Sequence, residues 1–158
     1  MRKITKPEII LAMMSFLLLY MITNAHGKQF KKDAKPTLSV KKYVESVHDG
    51  DTFTIRNDDE VGFLKSTNLG VRIYGIDTPE ISKVGPCEKK LGLEATKFLK
   101  DLLPKNKLVE LKFYGWDNFN RIVADVIVNG VLVSDLMIQK GYAIPYYGDK
   151  KKHVWCKD

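Results

Sequence analysis

The sequence predicts an α+β domain in which three strands, a helix, two strands and a second helix follow one another. Three observations lead there. Apolar and polar residues alternate in stretches on either side of residues 91–103, as half-buried strands require. Between them Leu91, Ala95, Phe98, Leu99, Leu102 and Leu103 recur at helical spacing and fall on one face. Turn formers separate the segments: Asp49-Gly50, Pro104 and Asn129-Gly130. With 158 residues, 44% hydrophobic and 28% charged, the chain has the apolar material for one globular core.

The first 25 residues read as a secretory signal. Arg2, Lys3 and Lys6 form a positive n-region, Ile9 to Ile22 is an apolar run, and Thr23-Asn24-Ala25 offers a small-residue cleavage site. The run is short for a membrane span of roughly 20 residues, so cleavage after Ala25 is expected rather than a retained anchor. Residues 26–36 are lysine-rich and without period, the pattern of a flexible basic linker, and residues 37–158 form the domain. The net charge is +7; without residues 1–25, 23 basic residues still face 18 acidic ones, an excess that suits a polyanionic partner.

Strand one runs from Leu38 to Val47, and His48-Asp49-Gly50-Asp51 turns it into Thr52–Arg56, a hairpin. Asn57-Asp58-Asp59-Glu60 is a second turn, and Val71 to Ile76 is the third strand. The helix follows Pro86 and stops at Pro104, which supplies no backbone N–H. Leu108 to Tyr114 and Ile122 to Val128 are strands four and five, and Leu132 to Lys140 is a short helix with Gly141 as its C-terminal cap. This order is that of an OB-fold: a five-stranded β-barrel with a helix between strands 3 and 4, here with a second helix after strand 5.

Two carboxylates, Asp77 and Glu80, end the third strand around Thr78-Pro79. Taken locally, Asp77 or Thr78 caps a helix that Pro79 begins. Alternatively the locked φ of Pro79 makes a rigid acidic corner suited to chemistry or to a metal.

Three motifs in order resolve the choice. Asp49-Gly50-Asp51-Thr52, Arg72-x4-Asp77-Thr78-Pro79-Glu80 and Asp117-x3-Arg121 together resemble the staphylococcal nuclease (thermonuclease) family, over roughly Val40 to Tyr147. The resemblance implies a calcium-dependent hydrolase of DNA and RNA phosphodiesters with low sequence specificity, leaving 3′-phosphates. It makes Asp51 and Asp77, with the Thr78 carbonyl, the Ca²⁺ ligands; oxygen donors without a His or Cys cluster suit that hard cation. It makes Glu80 the carboxylate that activates water, and Arg72 and Arg121 the pair that grips the scissile phosphate, where guanidinium forks stabilise growing negative charge.

The chain departs from the family at the tip before Arg121. Asn118, Phe119 and Asn120 stand where the family has a lysine, a tyrosine and a glycine, so its terminal-phosphate contacts do not carry over. Asparagine tolerates the left-handed backbone that glycine adopts there. Tyr146 or Tyr147 takes the place of the family tyrosine after the second helix, stacking on a base or contacting phosphate; packing against the barrel is the alternative. His48, beside the Asp-Gly-Asp turn, reads as an exposed turn residue.

Cys87 and Cys156 are the two cysteines, and in an oxidising compartment an even pair reads as one disulfide. The bridge is expected to stand in for the closure made by the family's long C-terminal helix. The expected protein is exported to periplasm, cell surface or medium, monomeric, without stable membrane association once the signal is cleaved. Two rivals stay open: a non-catalytic OB module that binds single-stranded nucleic acid, and an exported domain whose tail serves a protein partner.

Overall fold

A computed structural model describes residues 30–56, 68–148 and 153–156. The signal segment 1–25, the start of the linker and the turn Asn57-Asp58-Asp59-Glu60 lie outside the described residues.

β1 (Leu38–Val47), β2 (Thr52–Ile55), β3 (Leu69–Ile73), β5 (Leu108–Trp116) and β6 (Ile122–Val128) form one sheet in the order β3-β2-β1-β5-β6. A parallel pairing of β3 with β6 closes it into a five-stranded barrel, so neither strand is left as an edge. Helix α1 (Pro86–Leu102) lies between the third and fourth barrel strands, and α2 (Val133–Gln139) follows the fifth. This is the OB-type α+β architecture that the sequence predicts.

Alternation decides what faces inward. Phe53 and Ile55 of β2, Val71 and Ile73 of β3, Val109 and Leu111 of β5 and Val126 and Val128 of β6 are buried in one cluster. Ala95, Leu99 and Leu103 from α1, and Val133 and Met137 from α2, join it. Each fully buried large side chain of this set contributes roughly 1.5–3 kcal/mol.

The short helix ends as its glycine predicts. Gly141, at φ 77°, donates to the Ile138 carbonyl and Tyr142 to the Met137 carbonyl, each at 3.0 Å. Those two bonds are the Schellman closure, which needs the left-handed region that glycine enters without a Cβ penalty.

Three local features differ from the sequence reading. The stretch Val71–Ile76 is not one strand: it breaks at Tyr74-Gly75, where Gly75 takes φ 81°, and resumes as β4 (Ile76–Asp77). β4 leaves the barrel and pairs with β8 (Ile144–Pro145). β7 (Val131–Leu132), within the turn and helix start predicted there, pairs back on β6. The capping reading of Asp77-Thr78-Pro79-Glu80 also fails, because α1 begins only at Pro86, with Gly85 as its N-cap.

Part of the predicted linker is seen against the barrel. The Phe30 ring sits edge-on to Tyr74 at 6.4 Å, and Tyr74 donates to the Lys31 carbonyl. Cys87, in the first turn of α1, is bonded to Cys156 with Cα atoms 6.2 Å apart.

Candidate active site

The site lies where the β1–β2 turn, the end of β3 and the β5–β6 hairpin meet. Antiparallel pairing of β2 with β3 sets Thr52 opposite Arg72, and Ile73 N–H donates to the Asp51 carbonyl at 2.9 Å. Parallel pairing of β3 with β6 sets Arg72 opposite Val123, just beyond Arg121. Barrel closure therefore brings two arginines far apart in sequence to adjacent strands.

Asp51 is buried, and its position is over-determined. Its backbone N–H donates to Asp49 Oδ1 at 3.0 Å, a side-chain turn that fixes the loop. Its carboxylate accepts from Thr52 Oγ1 and Thr78 Oγ1, each at 3.1 Å, and pairs with Arg72 Nη1 at 2.9 Å. Arg72 Nη2 lies 3.6 Å from Asp77 Oδ1 and donates to the Ile76 carbonyl at 2.9 Å. Even with these partners, burial pushes Asp51 up to about 6; Arg72 pulls it down, and Asp49 and Asp77 push it further up.

Small residues bring α1 against this corner. A Cβ on Gly92 would lie 2.7 Å from the carbonyl oxygens of both Pro79 and Glu80. A Cβ on Gly50 would lie 2.7 Å from Thr78 Oγ1. One turn earlier in α1, Glu88 Oε1 accepts the Glu80 N–H at 3.1 Å. The Glu80 peptide is thus held at its N–H by Glu88 and backed at its carbonyl by a glycine.

Arg121 is held in the same manner by its own acid. Asp117 Oδ2 accepts from Arg121 Nε at 2.7 Å, and Asp117 Oδ1 accepts the backbone N–H groups of Phe119 and Arg121, each at 2.9 Å. Arg121 Nη1 donates to Thr52 Oγ1 at 3.0 Å. Asn120 takes φ 61°, the left-handed conformation its position requires. Gly70 leaves room for the arginine stem, whose Cγ would sit 3.2 Å from an added Cβ.

Asp51, Arg72, Asp77, Glu80, Arg121, Tyr146 and Tyr147, all singled out from sequence, line one cavity of about 350 Å³. Thr78 is buried and reaches the site through Asp51. The tyrosines arrive through the β4–β8 pairing: Tyr146 N–H donates to the Gly75 carbonyl at 2.9 Å, and Tyr147 packs edge-on to Tyr74 at 5.5 Å. His48 is exposed and bonds Thr54 Oγ1. The cysteines are elsewhere, on α1 and the tail.

The profile of the staphylococcal nuclease homologue family matches residues 70–155 of this sequence. The chain belongs to the staphylococcal nuclease family. Thermonuclease of Staphylococcus intermedius is 30% identical over 145 residues, covering 90% of this chain and 81% of its own. Endonuclease Htp3 of Saprolegnia parasitica is 33% identical over 115 residues, 65% of this chain and 54% of its own. An uncharacterised Bacillus anthracis protein is 32% identical over 120 residues, 75% of this chain and 53% of its own. The chain thus spans about half the length of the latter two relatives and about four-fifths of the thermonuclease.

Within this staphylococcal nuclease family member, sequence reasoning passed over three supporting residues. Thr52 begins a strand and closes the Asp-Gly-Asp-Thr motif with no role of its own in the sequence reading, yet its hydroxyl touches both Asp51 and Arg121. Glu88 is a first-turn acid of α1, a placement favoured by the helix dipole and carrying no motif of its own. Gly92 carried a usable signal, a glycine in the middle of a helix, which lowers helix stability unless something must approach closely.

Proposed function

We propose that this protein is an exported, Ca²⁺-dependent nuclease that hydrolyses phosphodiester bonds in DNA and RNA with low sequence specificity and leaves 3′-phosphate ends. The observation that carries the reading is the convergence of Arg72 and Arg121 with Asp51, Asp77 and Glu80 on one cavity. A nucleic-acid binding module gains nothing from crowded acids beside its phosphate-gripping arginines, whereas phosphoryl hydrolysis needs both. Family membership and the thermonuclease and endonuclease relatives point the same way.

The donors suit a hard cation. Asp51 and Asp77 offer carboxylate oxygens, the Thr78 carbonyl is the third candidate, and neither His nor Cys lines the cavity. Among the described residues, no three His, Cys, Asp or Glu side chains form a metal-holding group. Ca²⁺ takes roughly 6–8 oxygen ligands, so Asp51, Asp77 and the Thr78 carbonyl would leave the remaining positions to water and phosphate oxygens. Bound there, Ca²⁺ would neutralise the Asp51–Asp77 pair and polarise the phosphate.

The chain's own residues supply the other roles. Arg72 and Arg121 bind the phosphate from two sides and stabilise charge on its equatorial oxygens. Glu80 orients the attacking water and accepts its proton. The water oxygen bonds to phosphorus, the bond to the 5′-oxygen breaks, and that oxygen takes a proton from solvent. The products are a 3′-phosphate and a 5′-hydroxyl. Export rests on the signal segment of residues 1–25, and a mature N-terminus at His26 is the expected product; the mature protein acts as a monomer.

Incubation of the mature protein with denatured DNA in Ca²⁺ or in chelator tests the reading. Acid-soluble fragments with 3′-phosphates are expected in Ca²⁺ alone. Cleavage that persists in chelator would overturn the metal assignment, and intact DNA in Ca²⁺ would overturn the nuclease reading.

A further inference from the structure

We propose that Phe119 is a stacking platform for an unpaired nucleobase next to the phosphate held by Arg121, a subsite that rests on the nuclease reading above. Phe119 is 79% exposed, and it sits on the lip of the cavity that holds Arg72 and Arg121. A lone exposed aromatic is ordinary on a protein surface. This one is not on a loose loop.

Asp117 Oδ1 accepts from the Phe119 N–H at 2.9 Å and from the Arg121 N–H at the same distance, and Asn120 N–H donates to the Asp117 carbonyl at 3.3 Å. One carboxylate therefore fixes the backbone that carries the apolar ring and, through its Oδ2, the guanidinium itself. The Arg121 Cζ lies 5.2 Å from the Phe119 ring centroid, which sets the spacing between a phosphate site and an aromatic platform. A nucleotide carries those two chemistries, an anion and a π-face, joined by one sugar.

The residues around the ring say how it binds. Phenylalanine has no hydroxyl, and its neighbours Asn118 and Asn120 carry no charge, so the tip offers no cation for a second phosphate. What remains is stacking, which tolerates any base and is insensitive to salt compared with phosphate contacts. A base inside a duplex already has its faces covered by neighbours. The subsite therefore favours single-stranded or locally opened substrate.

The test is fluorescence anisotropy in chelator, where binding is read without turnover, using a labelled single-stranded homothymidine oligonucleotide and an abasic deoxyribose-phosphate strand of equal length. Wild type, Phe119→Ala and Phe119→Trp are compared. Phe119→Ala is expected to weaken homothymidine binding about tenfold and abasic binding hardly at all, with Phe119→Trp restoring the loss. Equal affinities of wild type and Phe119→Ala for homothymidine would overturn the subsite. An equal loss on both strands would overturn it too, because the ring would then act only by steadying Arg121. Cleavage by the wild type in Ca²⁺ is scored separately, so a failed subsite and a failed nuclease reading give different results.

Discussion

Thr52 Oγ1 accepts a hydrogen bond from Arg121 Nη1 at 3.0 Å while donating one to Asp51 Oδ1 at 3.1 Å. One hydroxyl therefore joins the acidic and basic halves of the site, and it is buried between them. Its donor and acceptor roles are fixed by its partners: the carboxylate only accepts and the guanidinium only donates.

Thr52→Val keeps the β-branched shape and removes both bonds. Each bond has a charged partner, so the loss is expected to reduce kcat roughly tenfold to a hundredfold, with stability lower by about 1–3 kcal/mol. Steady-state kinetics on single-stranded DNA and urea unfolding check the two numbers. Wild-type kcat in Thr52→Val would show that Arg121 is positioned by Asp117 alone.

Gly92 predicts a conflict between helix propensity and packing. Alanine in a helix interior is favoured over glycine by about 1 kcal/mol. Here its Cβ would lie 2.7 Å from two backbone carbonyls that cannot rotate away, an overpacking worth roughly 1–3 kcal/mol. Gly92→Ala is expected to lower Tm and to reduce kcat, since the displaced peptide is that of Glu80. Gly85→Ala is the control: φ is −66° and nothing lies within 4 Å of an added Cβ, so both values should hold.

The Cys87–Cys156 bond closes a loop across a sequence separation of 69 residues. In the chain-entropy account a loop of that length contributes roughly 4 kcal/mol. A Cys87→Ser/Cys156→Ser variant is expected to melt on the order of 10 °C lower by circular dichroism. Mass analysis without reductant should find the wild type two hydrogens lighter than the free-thiol form. Equal Tm values would mean that the unfolded chain is already restrained.

The particular residues show which signals a sequence carries well. The five barrel strands and α1 were legible because burial on one face imposes a period, and that period survives without knowledge of neighbours. Gly75 was not legible as a break, since a glycine in an alternating run fits either a strand or a turn until its φ is known. β4 and β8 have two residues each, too few for any period, and they exist only because tertiary contact pairs them. Yet that pairing is what brings Tyr146 and Tyr147 to the cavity. Thr52 and Glu88 were illegible for a related reason: a hydroxyl or carboxylate that steadies another residue has no motif of its own. The acidic corner was ambiguous locally, and the start of α1 at Pro86 removed the capping alternative.

If Glu80 activates water for attack on a phosphate held by Arg72 and Arg121, removing its basicity slows the chemical step. Single-turnover cleavage of a single-stranded oligonucleotide in saturating Ca²⁺, wild type against Glu80→Gln, tests it most directly. Glutamine preserves the side-chain size and the backbone held by Glu88, but cannot accept the proton. The Glu80→Gln rate is expected to fall by about a hundredfold to ten-thousandfold with substrate affinity unchanged. A Glu80→Gln protein that cleaves at the wild-type rate would contradict that role.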